Sequence, residues 1–435
     1  MQKTTQTNLT REQKEAVGLL SIGTFLEYFD LMLYVHMAVL LNELFFPANE
    51  GSDFTYIFSA IAFSSTFVFR PIGALIIGWL GDNIGRRFTV IVTTAIMSIT
   101  CLVMAFLAPY SQIGITATVV VTCCRIMQGI SSMGEILGSE LYISEICKDR
   151  RRYFMIALVI VCSNLGGNAA LGISSLILSN NLNWRIVFFI GASVALVGLV
   201  ARTAIRETPD FINAKLKLDN SFDIANVKKT KIKESAIFNK KIDKKIIISY
   251  FFMEAMSPIW FYIGYFYSAT ILKTKFLMPA EGIIFNNLLI SFAVTINFII
   301  ICFLLKKMHP LRVMKIKMSI CFPFLFFLPY LYQNVSTPQE LLIINIIVKF
   351  LSFDGFATVP VVLSFFPVLK RFTYGAFIYS CSKAIMYVIM SFGIEIFSRN
   401  FGTYGILIIL LPFSIGYAFS RNHLEKLERA NGNYY

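Results

Sequence analysis

Gly78-Trp79-Leu80-Gly81-Asp82-Asn83-Ile84-Gly85-Arg86-Arg87 lies between two long apolar runs, 54–80 and 88–108. A carboxylate and two guanidinium groups are set among glycines in a connection too short to wander. Each flank carries the roughly twenty apolar residues that crossing a hydrocarbon core requires. The stretch therefore reads as a junction that pins two membrane helices by charge and by close backbone approach, which small residues permit.

The composition agrees. The 435 residues are 56% hydrophobic and 15% charged, with a mean hydropathy of +0.68, too apolar for a soluble domain. That length accommodates about a dozen spans. The polar start (1–15) and the length of the first apolar run argue against a cleaved signal peptide.

Outward from the junction, further apolar runs cover 17–41, 113–142, 154–178 and 184–204. Six more follow at 246–272, 283–305, 313–332, 341–363, 374–397 and 404–419. Between the two sets the chain turns basic, with Lys215, Lys217, Lys228, Lys229, Lys231, Lys233, Lys240, Lys241, Lys244 and Lys245. Such a segment reads as a linker at the membrane surface. The sequence thus predicts an all-α polytopic membrane protein of twelve transmembrane helices in two six-helix bundles. Its parts would be an N-terminal arm (1–16), a bundle (17–205), a basic linker (206–245), a second bundle (246–420) and a tail (421–435).

Charge on the loops tests this. Lys and Arg collect on the arm, at Arg86 and Arg87, at Lys148 to Arg152, on the linker, at Lys306 to Lys317, at Lys370 and Arg371, and on the tail. The alternate loops hold little beyond Arg185, Lys273, Lys275 and Arg399. The positive-inside rule then places both termini in the cytoplasm, which demands an even number of spans. The same distribution accounts for the net charge of +14 without nucleic acid as a partner. Eight cysteines show no ligand spacing and only three histidines occur, so neither a metal nor another cofactor is implied. With no nucleophile–base cluster, an enzyme is not expected.

Ionisable groups inside spans are costly and mark function by default. The first span holds Glu27 and Asp30 on one helix face, the second Arg70, and the fourth Arg125, Gln128, Ser132 and Glu135 on one face. An Asp30 that faces Arg125 stays ionised, and one moved into apolar surroundings takes a proton. A conformational cycle between the two settings would couple proton to solute; a static pair would only fix helix register. In the second half Glu254 and Asp354 are the preferred candidates over Lys349, Lys383 and Glu395, of which Lys349 and Glu395 lie near span ends and can snorkel. Asn164 and Asn168, among glycines on the fifth span, read as packing groups, with solute contact the alternative. Tyr28, Trp260, Tyr262, Tyr265 and Tyr267 offer a possible cage for a quaternary ammonium.

These residues resemble a family. Gly78-x-x-x-Asp82-x-x-Gly85-Arg86-Arg87 resembles the loop signature of the major facilitator superfamily, and Arg125-x-x-Gln128-Gly129 is similar to the fourth-helix motif of its proton-linked members. Leu26-Glu27-Tyr28-Phe29-Asp30, Phe45-Phe46-Pro47, Arg70-Pro71-Ile72-Gly73, Gly134-Glu135, Glu145 and Arg206-Glu207-Thr208-Pro209 resemble its metabolite:proton symporter branch, which includes carriers of proline and betaine, 2-oxoglutarate, citrate and shikimate. The match is dense over 17–211.

The resemblance implies alternating access and proton-coupled symport of a small polar metabolite, with osmolytes such as proline or betaine ahead of organic acids. An uncoupled facilitator, an antiporter or a non-transporting sensor are the alternatives. It implies that Asp30 faces Arg125 in the proton pathway. It further implies a cytoplasmic gate built on Asp82, Arg86 and Arg87, with Glu145 and Arg152 as partners. The expected partners are solute, proton and lipid bilayer; the expected setting is the cell inner membrane, as a monomer. The second half departs from the pattern. Lys306-Lys307-Met308-His309-Pro310-Leu311-Arg312 replaces the repeated acidic loop, and Ser364-Phe365-Phe366-Pro367 stands where Glu-x-Phe-Pro is expected. The segment 308–315 has lost its carboxylate, which predicts a one-sided latch.

Overall fold

A computed structural model describes residues 11–45, 67–147, 151–180, 182–203 and 243–434. Residues 1–10, the start of the second span and nearly all of the expected linker lie outside them, as do the side chains of Arg86 and Glu135. Described backbone is almost wholly helical, as lipid demands of segments that must satisfy their own hydrogen bonds. In chain order the helices are α1 (Arg11–Phe45), α2 (Arg70–Asn83), α3 (Arg86–Phe106), α4 (Tyr110–Ile113), α5 (Ile115–Ile146), α6 (Arg151–Ser179) and α7 (Arg185–Thr203). After the linker come α8 (Lys244–Phe261), α9 (Ser268–Thr274), α10 (Ala280–Leu304), α11 (Pro310–Gln333) and α12 (Pro338–Leu351). The last are α13 (Val359–Leu363), α14 (Arg371–Phe401) and α15 (Gly405–Ala430). Among the described residues, six continuous helical stretches are long and apolar enough to cross a membrane.

Of the expected spans, the seventh is distorted and the tenth is broken. The seventh carries Pro258 within α8 and then a π-helical segment, Tyr262–Tyr267, before α9. The tenth breaks between α12 and α13, where Asp354 Oδ1 accepts from the Phe356 amide at 3.1 Å and closes a local turn. Such turns are the way Asp competes with the helix for backbone donors. Discontinuous helices of this kind are tolerated at membrane depth only where protein or a cavity satisfies the freed backbone.

The tail expected from 421 is instead the final stretch of α15, which runs unbroken to Ala430 and packs on α11. Helices α1, α5, α6 and α7 pack together as one group; α8, α14 and α15 pack as another. The two halves meet along α2 against α14 and along α6 against α10. Across the second seam, Asn168 Nδ2 donates to Thr295 Oγ1 at 2.9 Å, and Ser291 Oγ donates to Asn168 Oδ1.

Candidate functional site: a charged cavity between two halves

A cavity of about 220 Å³ opens between the halves. Tyr28, Arg70, Glu140 and Asn164 line it from the first half, and Glu254, Lys317, Lys349, Asp354 and Lys383 from the second. Seven of these nine are Asp, Glu, Lys or Arg, a density that a bilayer tolerates only where water or solute enters. The broken tenth span and the π-distorted seventh build its wall. Lys349 Nζ donates to the Trp260 carbonyl at 2.6 Å, next to the π-helical segment, and sits 4.8 Å from the Tyr265 ring centroid. Trp260 Nε1 donates to the Phe353 carbonyl at 2.9 Å, and Tyr417 Oη donates to the Asp354 carbonyl at 2.9 Å. Freed carbonyls of the break thus find donors on α8 and α15. Lys383 Nζ lies 3.1 Å from Glu254 Oε2, and Lys317 Nζ donates to Asn297 Oδ1 at 3.3 Å. Lys349 is 6% exposed; it does not snorkel to an interface. Asp354 does not pair with it within 4.0 Å, because its position in the break turns it to the backbone.

A second polar cluster lies inside the first half and does not line the cavity. Asp30, Arg125 and Gln128 are buried; Arg125 Nη1 donates to Gln128 Oε1 at 2.9 Å, and Gln128 Nε2 reaches Cys101 Sγ at 3.8 Å. Both the Asp30 carboxylate and the Arg125 guanidinium act electrostatically on Cys101, so the two share one environment. Asp30 also lies against α7, where a Cβ on Gly191 would stand 2.7 Å from Asp30 Oδ1. Glu27 is buried one turn earlier on α1.

The opening motif closes one end of the seam. Asp82 Oδ2 accepts from the Thr373 amide at 2.9 Å and from Thr373 Oγ1 at 2.7 Å. Those donors belong to the first turn of α14, whose own preceding residue, Lys370, makes no side-chain cap. A carboxylate of one half therefore caps a helix of the other, where the helix dipole favours negative charge. Gly78 makes this approach possible: a Cβ there would sit 2.7 Å from Thr373 Cα. Gly85 has φ of 140°, in the region that L side chains rarely adopt, and turns the chain into α3. Glu145 Oε1 lies 3.7 Å from Arg371 Nη1, a second link between the halves. Arg87 Nη2 donates to the Thr203 carbonyl at 2.7 Å. Arg152 turns to Tyr153, donating to its hydroxyl at 2.8 Å and covering its ring.

A model of the Major Facilitator Superfamily matches residues 20–367. The chain belongs to that superfamily. Over 206 residues it is 34% identical to the proline/betaine transporter of Salmonella typhimurium, a stretch covering 46% of this chain and 41% of that protein. Over 216 residues it is 32% identical to the glycine betaine/proline/ectoine/pipecolic acid transporter of Dickeya dadantii, covering 48% and 43%. The matched stretch thus spans less than half the length of these curated relatives. Among solved structures, a major facilitator proton:xylose symporter bound to 6-bromo-6-deoxy-D-glucose superimposes with a TM-score of 0.73 at 14% identity, covering 95% of each chain. An E. coli xylose transporter in a partially occluded inward-open conformation gives 0.67 at 14%, covering 96% and 98%. The fold is that of this superfamily, a multi-pass membrane carrier family and not an enzyme family.

Within this fold, two ionisable cavity residues, Lys317 and Glu140, escaped the reading of the sequence. Lys317 counts there as a loop cation but lies inside α11 and faces the cavity. Glu140 stands near the expected end of the fourth span, yet α5 continues to Ile146 and buries it to 4% exposure. Lys383 was ranked below Glu254, its own ion-pair partner. Beside 308–315, buried Glu428 of α15 places Oε2 3.6 Å from His309 Nε2, a contact within the second half.

Proposed function

We propose that the protein is a secondary active transporter that moves a small polar solute together with protons by alternating access. The observation that carries this reading is the cavity itself. It lies between two halves, is walled by one broken helix and one with a π-helical segment, and holds ionisable groups from both sides; substrate sites near the midplane at a repeat interface take this form. The solute sits against Tyr28, Arg70, Asn164, Glu254 and Asp354. Two carboxyls bind the coupled protons: Asp30, held by Arg125 inside the first half, and Glu140 on the cavity wall. A conformational change that moves Asp30 relative to Arg125 alternates its affinity for a proton. Asp82, Arg86, Arg87, Glu145 and the residues they touch form the cytoplasmic gate.

The carrier works as a monomer in the cell inner membrane with both termini in the cytoplasm, in keeping with the cationic loops. The test is solute-driven proton movement. The interior of proteoliposomes that enclose a pH-sensitive dye and carry the full chain should acidify when a transported solute is added outside, and Asp30→Asn and Glu140→Gln should each abolish that signal. Solute entry with no proton movement in the unaltered protein would sink symport in favour of an uncoupled facilitator.

A further inference from the structure

We propose that Asn168 is a positioning residue of the transport cycle: through Ser291 and Tyr265 it ties the first half to the seat of the cavity cation Lys349. This rests on the transport reading above and adds to it a residue that does not line the cavity.

Asn168 of α6 and Ser291 and Thr295 of α10 are buried where the two halves meet. Counting protons fixes the direction of each bond between them. Thr295 Oγ1 donates to the Ser291 carbonyl at 3.1 Å, so towards Asn168 it can only accept, and Asn168 Nδ2 donates to it at 2.9 Å. That leaves Asn168 Oδ1 facing Ser291, whose hydroxyl donates to it. A hydroxyl has one proton to give. Ser291 Oγ therefore remains an acceptor for the Tyr265 hydroxyl, with which it is also hydrogen-bonded. The donors run one way, from Tyr265 to Ser291 to Asn168 to Thr295. The link at 168 must accept on one side and donate on the other without bringing charge into a buried seam, which a carboxamide does and a carboxylate or an alkyl group does not.

From Tyr265 the chain reaches the cavity. Tyr265 and Ser291 line it, and Asn168 and Thr295 do not. Tyr265 belongs to the π-helical segment of the seventh span, a local geometry that recurs at functional sites. Lys349 Nζ lies 4.8 Å from its ring centroid. Gly264 beside it makes room, because a Cβ there would collide with Lys349 Cε. Lys349 thus rests on two consecutive residues of that segment, and holding the Tyr265 hydroxyl holds the ring on which the ammonium lies. The same helix, α10, supports the lysine from behind: Asn297 Nδ2 donates to the Lys349 carbonyl at 3.1 Å, and Asn297 Oδ1 accepts from Lys317 Nζ at 3.3 Å. Movement of α6 along α10 breaks the bonds of Asn168, returns the Ser291 proton and releases the Tyr265 ring. The position of the first half is in this way transmitted to a cation in the wall of the second.

The relay is tested first without any solute, by fluorine NMR of the full chain carrying a single fluorotyrosine at position 265. Asn168→Leu, close in shape but without the amide, should move that resonance, and so should Thr295→Val. Thr295→Ser, which keeps the hydroxyl, should recover the original position. If Asn168→Leu fails to fold, the Thr295 pair carries the test. A resonance that ignores Asn168→Leu and Thr295→Val overturns the proposal. The second arm is uptake of radiolabelled 2-oxoglutarate, citrate, glycine betaine and proline into proteoliposomes under an imposed pH gradient. For whichever solute enters, Asn168→Leu and Thr295→Val should lower the maximal rate about tenfold, as loss of one buried hydrogen bond does. KM should stay within about twofold, since neither residue lines the cavity. Combining Thr295→Val with Tyr265→Phe should be no slower than the slower single variant, because both cut one chain. Rate losses that simply add, or losses matched by an equal fall in thermal stability across all variants, would reduce Asn168 to a packing group and overturn the proposal. A resonance that moves in a protein that carries none of the four solutes would leave the relay standing and sink the transport reading.

Discussion

Replacing Asp82 by Ala removes an acceptor that takes two hydrogen bonds from one residue of the opposite half, Thr373, at 2.9 and 2.7 Å. Each charge-assisted bond contributes about 1.5–3 kcal/mol net. Because one oxygen accepts both, they do not simply add, and a loss of about 2–4 kcal/mol is expected. The interaction exists only when α2 meets the start of α14, so the whole loss falls on the state closed at that end. A change of that size alters the closed-to-open ratio by roughly 30- to 700-fold. Asp82→Asn keeps an acceptor but gives up the charge that favours a helix N-terminus, and should cost about 1–2 kcal/mol. Spin labels at positions 83 and 307, both exposed and on opposite halves, report the opening by pulsed dipolar spectroscopy. The unaltered protein should show a short distance; Asp82→Ala should populate a long one; Thr373→Ala should do the same, and the double variant should add little. An Asp82→Ala protein with the original distance distribution would refute the capping argument.

Three further outcomes follow from the same geometry. Gly78→Ala places a Cβ 2.7 Å from Thr373 Cα, so backbone must move; overpacking of this sort costs about 1–3 kcal/mol, and the same labels should report opening with Asp82 intact. Gly191→Ala puts a Cβ 2.7 Å from Asp30 Oδ1, which displaces that carboxylate; proton-coupled uptake should fall more than the thermal stability of the purified protein, and equal losses in both would count against a coupling role. At the end of α15, burial pushes the Glu425 carboxyl up, but hydrogen bonds from Arg429 and the charges of Lys315, Arg421 and Arg429 outweigh it and hold it below the ordinary carboxylate range. A depressed carboxyl stabilises above its unfolded pKa and loses that contribution as pH falls through its folded one. Hydrogen exchange over 421–430 should therefore stay slow at neutral pH and quicken only below the usual carboxylate range, and exchange that quickens already near pH 6 would contradict this.

Much of the fold was legible because lipid is a strict solvent. Spans near 86–106, 115–146 and 280–304 follow from apolar length alone, and the Gly78–Arg87 motif fixed where two of them join. What was not legible depended on pairings across the chain. Asp82 finds its partner at Thr373, and His309 finds Glu428, each on a helix remote in sequence; no local pattern announces either. Lys317 looked like a loop charge because it follows Arg312 and Lys315, but α11 begins at Pro310 and carries it two turns inside. Glu140 looked terminal because the apolar run fades near it, while the helix does not. The π-helical segment at 262–267 and the break at 352–358 were invisible to hydropathy, since their residues remain apolar enough to read as continuous spans.

The central claim is that this cavity serves proton-coupled transport. Uptake of radiolabelled 2-oxoglutarate, citrate, betaine and proline into proteoliposomes, with and without an imposed pH gradient, tests it most directly. Accumulation of one solute above its external concentration, abolished when the gradient is collapsed, is the predicted result. Uptake that proceeds equally without a gradient, or no uptake of any of the four by a protein that binds one of them, would contradict it.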